Sequence, residues 1–504
     1  MTDLTALARL IGMGWRLARA DALVPREAEP YLPAGPVMLG RVLRLFSGPQ
    51  ARLGRPGARL ARVLETSGPV AIKLGQFLAT RADIFGEDFA QDLSRLKDRL
   101  APFPQARARA DIEAALAKPI DSLFSSFGEA VAAASIAQAH AAVLLDGTPV
   151  AVKVLRPGVE LQVARDSAVL ALAARIVVAM VPAARRLEPV AFVATVVRAL
   201  QLELDLRFEA AGADELREIM AKDGHMTGPA VVWEGVGRRA LTLTWAQGTP
   251  LSDPGALDLP GLDRPALANA LMRGFLSQAL DHGLFHADLH EGNLFVANPA
   301  VITAVDFGIL GRLGPLERRY LAEILWGFLM RDYTRVAALH FEAGYVPRSH
   351  DVHAFAQALR AVGEPVAGRN ASAVSMGRLL AQLFEVTALF DMHLRPELVL
   401  LQKTMVTVEG VARRIDPEHD LWAAADPVVR RWIARELSPA AKAHALLKDA
   451  ADALAGMARL ARSQGEPASV TVIAPAAEHH HSALLWFAVG ALAAGAAFVA
   501  FAFL

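Results

Sequence analysis

The run His286-Ala287-Asp288-Leu289-His290-Glu291-Gly292-Asn293, followed after a short apolar stretch by Asp306-Phe307-Gly308, brings a carboxylate, an amide and a second carboxylate into one span. All three are hard oxygen donors. Magnesium dehydrates reluctantly and is usually shared between one or two carboxylates and the phosphates of its nucleotide, so the set predicts a nucleoside triphosphate bound with a metal. In phosphoryl transfer the first Asp of such a run orients the attacking hydroxyl or water, and the Asn and the later Asp hold the ions. Asp288, Asn293 and Asp306 are the candidates for those roles.

Composition narrows the class. With 504 residues, 54% of them hydrophobic, the chain is long enough for a large core and more than one domain. Lys plus Arg number 52 and Asp plus Glu 52, so there is no global basic bias and no nucleic-acid partner is expected. The absence of cysteine removes disulfides, thiolate nucleophiles and cysteine-ligated zinc. Near the N-terminus Asp3, Arg9, Arg16 and Arg19 leave only residues 10–15 as an uncharged apolar stretch, too short for a signal-peptide core. Residues 482–504 carry no charge and, at about 1.5 Å per residue, match a bilayer core of roughly 30 Å. They are expected to form a transmembrane helix, with Trp486 and Phe487 at the interface and Arg459 and Arg462 keeping the preceding residues on the cytoplasmic side. His479, His480 and His481 read as a polar cap before that span, and 440–462 as an amphipathic helix.

Residues 1–118 read as a mostly helical extension, with breaks at Pro25, Pro30, Pro33, Pro36, Pro102 and Pro104. From Ile120 the pattern turns to strands: Leu123 to Phe127, Ala139 to Leu145, and Val150-Ala151-Val152-Lys153-Val154, with Asp146-Gly147 as a hairpin signal. Helix follows from Val163 to Glu215, where Arg175 argues against a second membrane span. Strand signals return at Val231-Val232-Trp233 and Leu241 to Trp245, and helix dominates from Pro265 except at 286–308. The His-x-Asp-x4-Asn loop points to the broad protein-kinase-like class, which small-molecule phosphotransferases share. The expected fold is therefore α+β, a bilobal protein-kinase-like domain over 119–462 (N-lobe 119–248, helical C-lobe 249–462). A helical extension (1–118) precedes it, and a linker (463–481) and the transmembrane helix (482–504) follow.

Lys153, at the end of an alternating strand, has the form of the lysine that contacts the α and β phosphates and pairs with a helix glutamate. Glu203, Asp205 and Glu209 offer three carboxylates as partners; on one helix Asp205 and Glu209 would share a face, with Glu203 on another side. Ahead of the lysine strand, where a glycine-rich phosphate loop is usual, stands Val131-Ala132-Ala133-Ala134-Ser135-Ile136-Ala137-Gln138. Alanine's Cβ penalises both positive φ and close phosphate approach, and composition alone favours an alanine-rich helix start here.

Gly68-Pro69-Val70-Ala71-Ile72-Lys73-Leu74-Gly75-Gln76 contains a Lys-x-Gly-Gln motif in a helical setting. With the alanine-rich loop, the Glu203-x-Asp205 pair and Phe285-His286-Ala287-Asp288, the chain resembles the UbiB family of atypical, protein-kinase-like proteins over roughly residues 60–320. The resemblance implies a kinase-like fold with the extension packed over the active site, ATP and Mg2+ as cofactors, and a role supporting ubiquinone (coenzyme Q) biosynthesis. The location implied is the bacterial inner (cytoplasmic) membrane, with a C-terminal anchor and the kinase-like domain in the cytoplasm. Membrane lipids and quinone-biosynthesis enzymes or polyprenyl-phenol intermediates are the implied partners. By motif position, Lys153 would hold the phosphates and pair with Glu209, and the nucleotide loop would be Ala130, Val131, Ala132, Ala133, Ala134, Ser135, Ile136, Ala137 and Gln138. Asp288 would take the catalytic-base position and Asn293 and Asp306 the metal. Glu203 and Asp205 would form the family's extra acidic pair, while Lys73 and Gln76 would point into the pocket. Two departures, Ala139 before His140 and Leu289-His290-Glu291 after Asp288, are expected to touch no charge or ligand.

A lysine and a glutamine over the phosphates would occupy the space a protein substrate's hydroxyl needs. The expected activity is therefore ATP hydrolysis coupled to a conformational change, with transfer to a small molecule or protein, or a nucleotide-gated scaffold for quinone-pathway enzymes, as the alternatives.

Overall fold

The computed structural model describes residues 3–31, 34–79, 86–94, 96, 101–180, 189–367, 386, 389–392 and 396–436. They fall into two compact units: the described residues of Met1–Glu215 with Pro229–Trp245, and those of Leu216–Gly228 with Ala246–His480.

In the first unit, helices α1 (Asp3–Arg19), α2 (Ala34–Arg44), α3 (Pro56–Glu65), α4 (Pro69–Ala79), α5 (Glu87–Ser94) and α6 (Gln105–Leu116) precede a four-stranded antiparallel sheet. Its strands β1 (Phe124–Ala133), β2 (Ala137–Leu144), β3 (Pro149–Leu155) and β4 (Ala240–Thr244) lie in that order. Asp146-Gly147 closes the β2–β3 hairpin: Gly147 has φ 88° and Asp146 Oδ1 accepts the Thr148 N–H at 2.9 Å. Strand β1 runs on through Ala130–Ala133, pairing Ala130 with His140 and Ala133 with Gln138, so the expected helix start is a strand. Alanine's helix preference is a few tenths of a kcal/mol per residue, and a paired backbone beside β2 overrides it. Val231-Val232-Trp233 makes only an isolated bridge, Val231 to Leu243, before a 3-10 turn at Trp233–Gly235.

The sheet separates two apolar clusters. Val150, Val152 and Val154 pack with Ala108 and Ile112 of α6 on one side. On the other, Leu155 and Leu241 meet α7 (Val159–Met180), α8 (Pro189–Glu203) and α9 (Leu206–Asp223) through Val163, Val196, Leu200, Leu206 and Ala210. Val70 of α4 joins this second cluster, so α4 is built into the face of the sheet opposite α6. Burying each such side chain stabilises by about 1.5–3 kcal/mol.

The second unit holds β5 (Thr249–Pro250), α10 (Arg264–Ser277), a π-helical turn (Gln278–His282), β6 (Leu284–His286), β7 (Leu294–Ala297), β8 (Val301–Ala304) and β9 (Leu310–Arg312). Helices α11 (Pro315–Leu329), α12 (Tyr333–Glu342), α13 (Val352–Ala367), α14 (Pro396–Ile415) and α15 (Leu421–Glu436) follow. Two small sheets, β5-β7-β8 and β6-β9, frame the 286–308 segment, which the sequence pattern shows only as a loop. Phe285 lies opposite Gly311 in the β6–β9 pair, and a Cβ at 311 would come within 2.1 Å of Phe285 Cζ.

His340 of α12 is buried between Tyr345 and Phe355, with Nδ1 donating to the Val336 carbonyl at 2.8 Å. Burial lowers its pKa below the usual 6.5. Unfolding therefore takes up a proton, so this histidine's contribution is complete above about pH 6.5 and is lost as pH falls below that value. Thermal melts are expected to show a lower Tm at pH 5.5 than at pH 7.5, and His340→Phe is expected to flatten that slope. An unchanged slope in the variant would rule His340 out as the source.

The expected C-terminal transmembrane helix is corrected here, and the membrane-anchored location with it. Among the described residues no helix is long and apolar enough to cross a membrane. Even the longest, α7, carries Glu160, Arg165, Asp166 and Arg175 along its length. Residues 440–462, 463–481 and 482–504 lie outside the described residues; the described fold is kinase-like, with no membrane-crossing helix among the described residues.

Candidate functional site

The candidate groups are divided between the two units. In the first, Lys153 sits on β3 between buried Val152 and Val154, which face α6, so strand alternation turns Lys153 to the opposite side. There Glu209, in the first turn of α9, accepts from Lys153 Nζ at 2.7 and 3.0 Å through its two oxygens. The carboxylate side chain is 10% exposed, so water competes weakly for this pair.

Lys73 on α4 pairs with Glu203, the last residue of α8. Asp205 occupies the break before α9 and accepts from Arg207 at its backbone N–H (3.2 Å), Nε (2.8 Å) and Nη2 (2.6 Å). Those bonds, led by the guanidinium, hold its carboxyl below the usual range. Asp205 and Glu209 therefore do not share a helical face, because the carboxylate at 205 stands at the start of a new helix. The three acids pair with different cations: Glu203 with Lys73, Asp205 with Arg207 and Glu209 with Lys153. Gln76, three residues beyond Lys73 on α4, is half-buried.

In the alanine-rich hairpin, Ala130, Val131, Ala132 and Ala133 finish β1, Ala134, Ser135 and Ile136 form the tip, and Ala137 and Gln138 open β2. Val131 and Ala132 are exposed, whereas Ser135, Ala137 and Gln138 are buried. Ala134 N–H donates to the Ala137 carbonyl at 2.8 Å. Arg156, just past β3, holds the tip through its N–H to Ile136 O and its Nε to Ala134 O, both 2.8 Å. Its Nη1 also reaches Ala101 O at 3.0 Å, and its guanidinium lies 5.9 Å from the Phe103 ring centroid. The Gln138 side chain accepts the Phe103 N–H at 2.9 Å and donates to Phe103 O at 3.1 Å and to His140 Nε2 at 2.8 Å. His140 must then carry its proton on Nδ1, which donates to Gly128 O at 2.9 Å, and burial lowers its pKa. The amide of Gln138 is thus committed to the Phe103 backbone and the His140 ring. Neither Arg156 nor this bracing role of Gln138 carries a motif signal in the sequence.

In the second unit His286 ties the two acidic segments together. Its Nδ1 accepts the Asp288 N–H at 3.1 Å and its Nε2–H donates to Val305 O at 3.1 Å, which fixes the neutral tautomer; burial lowers the pKa in the same sense. His286, the last residue of β6, is thus held by hydrogen bonds at both ring nitrogens. Asn293 Nδ2 donates to Asp288 O at 3.0 Å, and Val305 N–H donates to Asn293 O at 2.9 Å. Asp306 follows with φ 60°, a left-handed conformation seldom adopted outside glycine, asparagine and aspartate. His290 Nε2 lies 3.7 Å from Asp288 Oδ2. Glu291, expected to touch no charge, pairs with Arg414 of α14.

Among the described residues no group of three His, Cys, Asp or Glu side chains could hold a metal by itself. Two carboxylates and an amide fit magnesium, whose remaining positions go to water and phosphate oxygens. They do not fit zinc or a soft transition metal.

A kinase-like protein is what these elements define: a lysine strand paired to a helix glutamate, and an Asp-Asn loop before a left-handed Asp. The ABC1 atypical kinase-like domain matches residues 95–340, and the UbiB helical domain residues 359–420. A relative from Marinobacter nauticus named "Probable protein kinase UbiB" is 39% identical over 443 residues, covering 86% of this chain and 80% of the relative. One of the same name from Xanthomonas euvesicatoria is 41% identical over 427 residues, covering 82% and 74%. The solved Rv3197–erythromycin complex from Mycobacterium tuberculosis shares the fold at TM-score 0.51 and 20% identity, over 73% of this chain and 93% of that one. The chain belongs to the UbiB family of atypical kinase-like proteins, and a kinase-like domain implies the use of ATP.

Proposed function

We propose that this protein binds ATP with magnesium and hydrolyses it in support of ubiquinone biosynthesis, acting on or beside polyprenyl-phenol intermediates or the enzymes that process them. Lys153, braced by Glu209, would contact the α and β phosphates beneath the Ala130–Gln138 hairpin. Asp288 would orient the attacking water, and Asn293 and Asp306 would hold the metal that neutralises the phosphates. Lys73, Gln76, Glu203 and Asp205 would form the family's additional polar set. The observation that carries hydrolysis over protein phosphorylation is the placement of α4: Val70 shares a core with Leu155 and Ala210, so the Lys73 helix is built against the same sheet face that bears Lys153. On this reading a lysine-bearing helix beside Lys153 would leave less room at the phosphates for a polypeptide acceptor. The name of the curated relatives favours a second reading, transfer to a protein or small-molecule acceptor.

The test is the fate of label from γ-labelled ATP, with and without a polyprenyl-phenol analogue. Label released as inorganic phosphate, faster with the analogue, is the expected result. Label on protein or on the analogue would replace hydrolysis with transfer, and bound ATP without turnover would leave a nucleotide-gated scaffold.

A further inference from the structure

The backbone around Asp288 is bonded almost entirely within its own segment. Ala287 N–H donates to Ile309 O at 3.1 Å and Asp288 N–H to His286 Nδ1 at 3.1 Å, while Asp288 O accepts His290 N–H and Asn293 Nδ2 at 3.0 Å each. The Ala287 carbonyl is different. It accepts from Thr404 Oγ1 at 3.0 Å, a buried hydroxyl on α14. The Thr404 proton is shared with the Leu400 carbonyl at 2.8 Å, the usual bond of a helical threonine to its own preceding turn. Farther along the same helix Arg414 pairs with Glu291, and the end of α14 is fixed in turn by Arg264 Nε, which donates to Ile415 O at 2.5 Å. Helix α14 therefore touches the loop at 287 and at 291, on either side of Asp288.

We infer that α14 is the positioning element for the Asp288 carboxylate, with Thr404 fixing the 287–288 peptide and Arg414 fixing the far side of the loop through Glu291. The inference rests on the role proposed above for Asp288 in orienting the acceptor of the γ-phosphoryl group. The hydroxyl sets the tilt of the peptide that leads into Asp288, and the ion pair restrains the residue where the loop turns toward Asn293. Reaction rate depends steeply on such placement, a displacement of 1 Å costing up to about 100-fold. A helix that served only to fill space would need neither a hydroxyl at 404 nor a charge at 414.

Thr404→Val keeps the volume and removes the donor, so it separates these roles. It is expected to lower ATP turnover about tenfold with nucleotide affinity changed less than about twofold, while Thr404→Ser retains near-normal turnover. Hydrogen exchange of the 286–293 amides is expected to quicken in Thr404→Val without nucleotide. Arg414→Glu and Glu291→Arg are each expected to slow turnover about threefold, and the reversed pair to recover it. Wild-type protection at 286–293 in Thr404→Val, or a reversed pair no better than its single variants, overturns the inference. If Thr404→Val does not fold, the charge-reversed series decides. If the wild-type protein fails to hydrolyse ATP, the proposed function fails, and exchange at 286–293 in each variant still decides whether α14 holds the loop.

Discussion

Asp306→Asn is expected to slow ATP turnover about a thousandfold and to weaken magnesium-dependent nucleotide binding, with the melting temperature nearly unchanged. The substitution is chosen for the backbone as much as for the charge. Asp306 has φ 60°, a region that penalises most side chains, and asparagine is one of the few residues that occupy it readily. Asp306→Ala would mix a backbone effect with loss of the ligand. With asparagine the local conformation is retained and only the negative charge is removed, so a large loss reports on the hard-oxygen donor set of Asp288, Asn293 and Asp306. Phosphate release and ATP binding, each measured with and without magnesium, check the prediction. Equal turnover and affinity in the purified variant would remove Asp306 from the metal's shell.

Lys153→Met is expected to weaken ATP binding by about 10- to 100-fold, the value of one charge-assisted contact to phosphate. It also leaves the Glu209 carboxylate 10% exposed and without its 2.7 Å partner. Breaking a fully buried pair costs about 3–5 kcal/mol; with Lys153 24% exposed, solvent lowers the expected loss to about 1–3 kcal/mol. The double variant Lys153→Met, Glu209→Leu separates the two effects. Replacing the whole pair by apolar groups is expected to restore most of the stability and none of the affinity. Urea unfolding measures the first and nucleotide titration the second. Recovery of affinity in the double variant would mean that Lys153 acts on Glu209 alone and does not contact phosphate.

Much of the architecture could be read from local signals with a physical cause. Asp146-Gly147 set one hairpin, and the alternation of Val150, Val152 and Val154 set the strand that presents Lys153. Local preference misleads where long-range pairing outweighs it. Ala130–Ala133 prefers helix by composition and becomes strand only because β2 lies beside it. Strands β6 and β9 are three residues each, too short for a period to show. Asp205 and Glu209 read as sharing one helical face because a helix break has no strong signal when its capping residue is itself acidic. The motif residues were visible as chemistry, while their supports were not. Arg156 and Thr404 act through backbone carbonyls, which no side-chain pattern records, and Arg414 meets Glu291 from a distant helix. Residues 482–504 were read from hydropathy alone, and the described helices supply no membrane-crossing counterpart.

The bracing of the alanine hairpin has a thermodynamic consequence. A phosphate loop that orders only when nucleotide arrives opposes binding by about 1–2 kcal/mol for each residue fixed. Here the carbonyls of Ala134 and Ile136 already rest on Arg156, and Gln138 already spans to Phe103. That ordering is completed when the protein folds. On the nucleotide role proposed for this hairpin, capture would carry little conformational entropy from it, and the calorimetric signature would be set by the ligand's own contacts and released water. On the same reading, nucleotide would enter and leave past a rim already braced by Arg156 and Gln138.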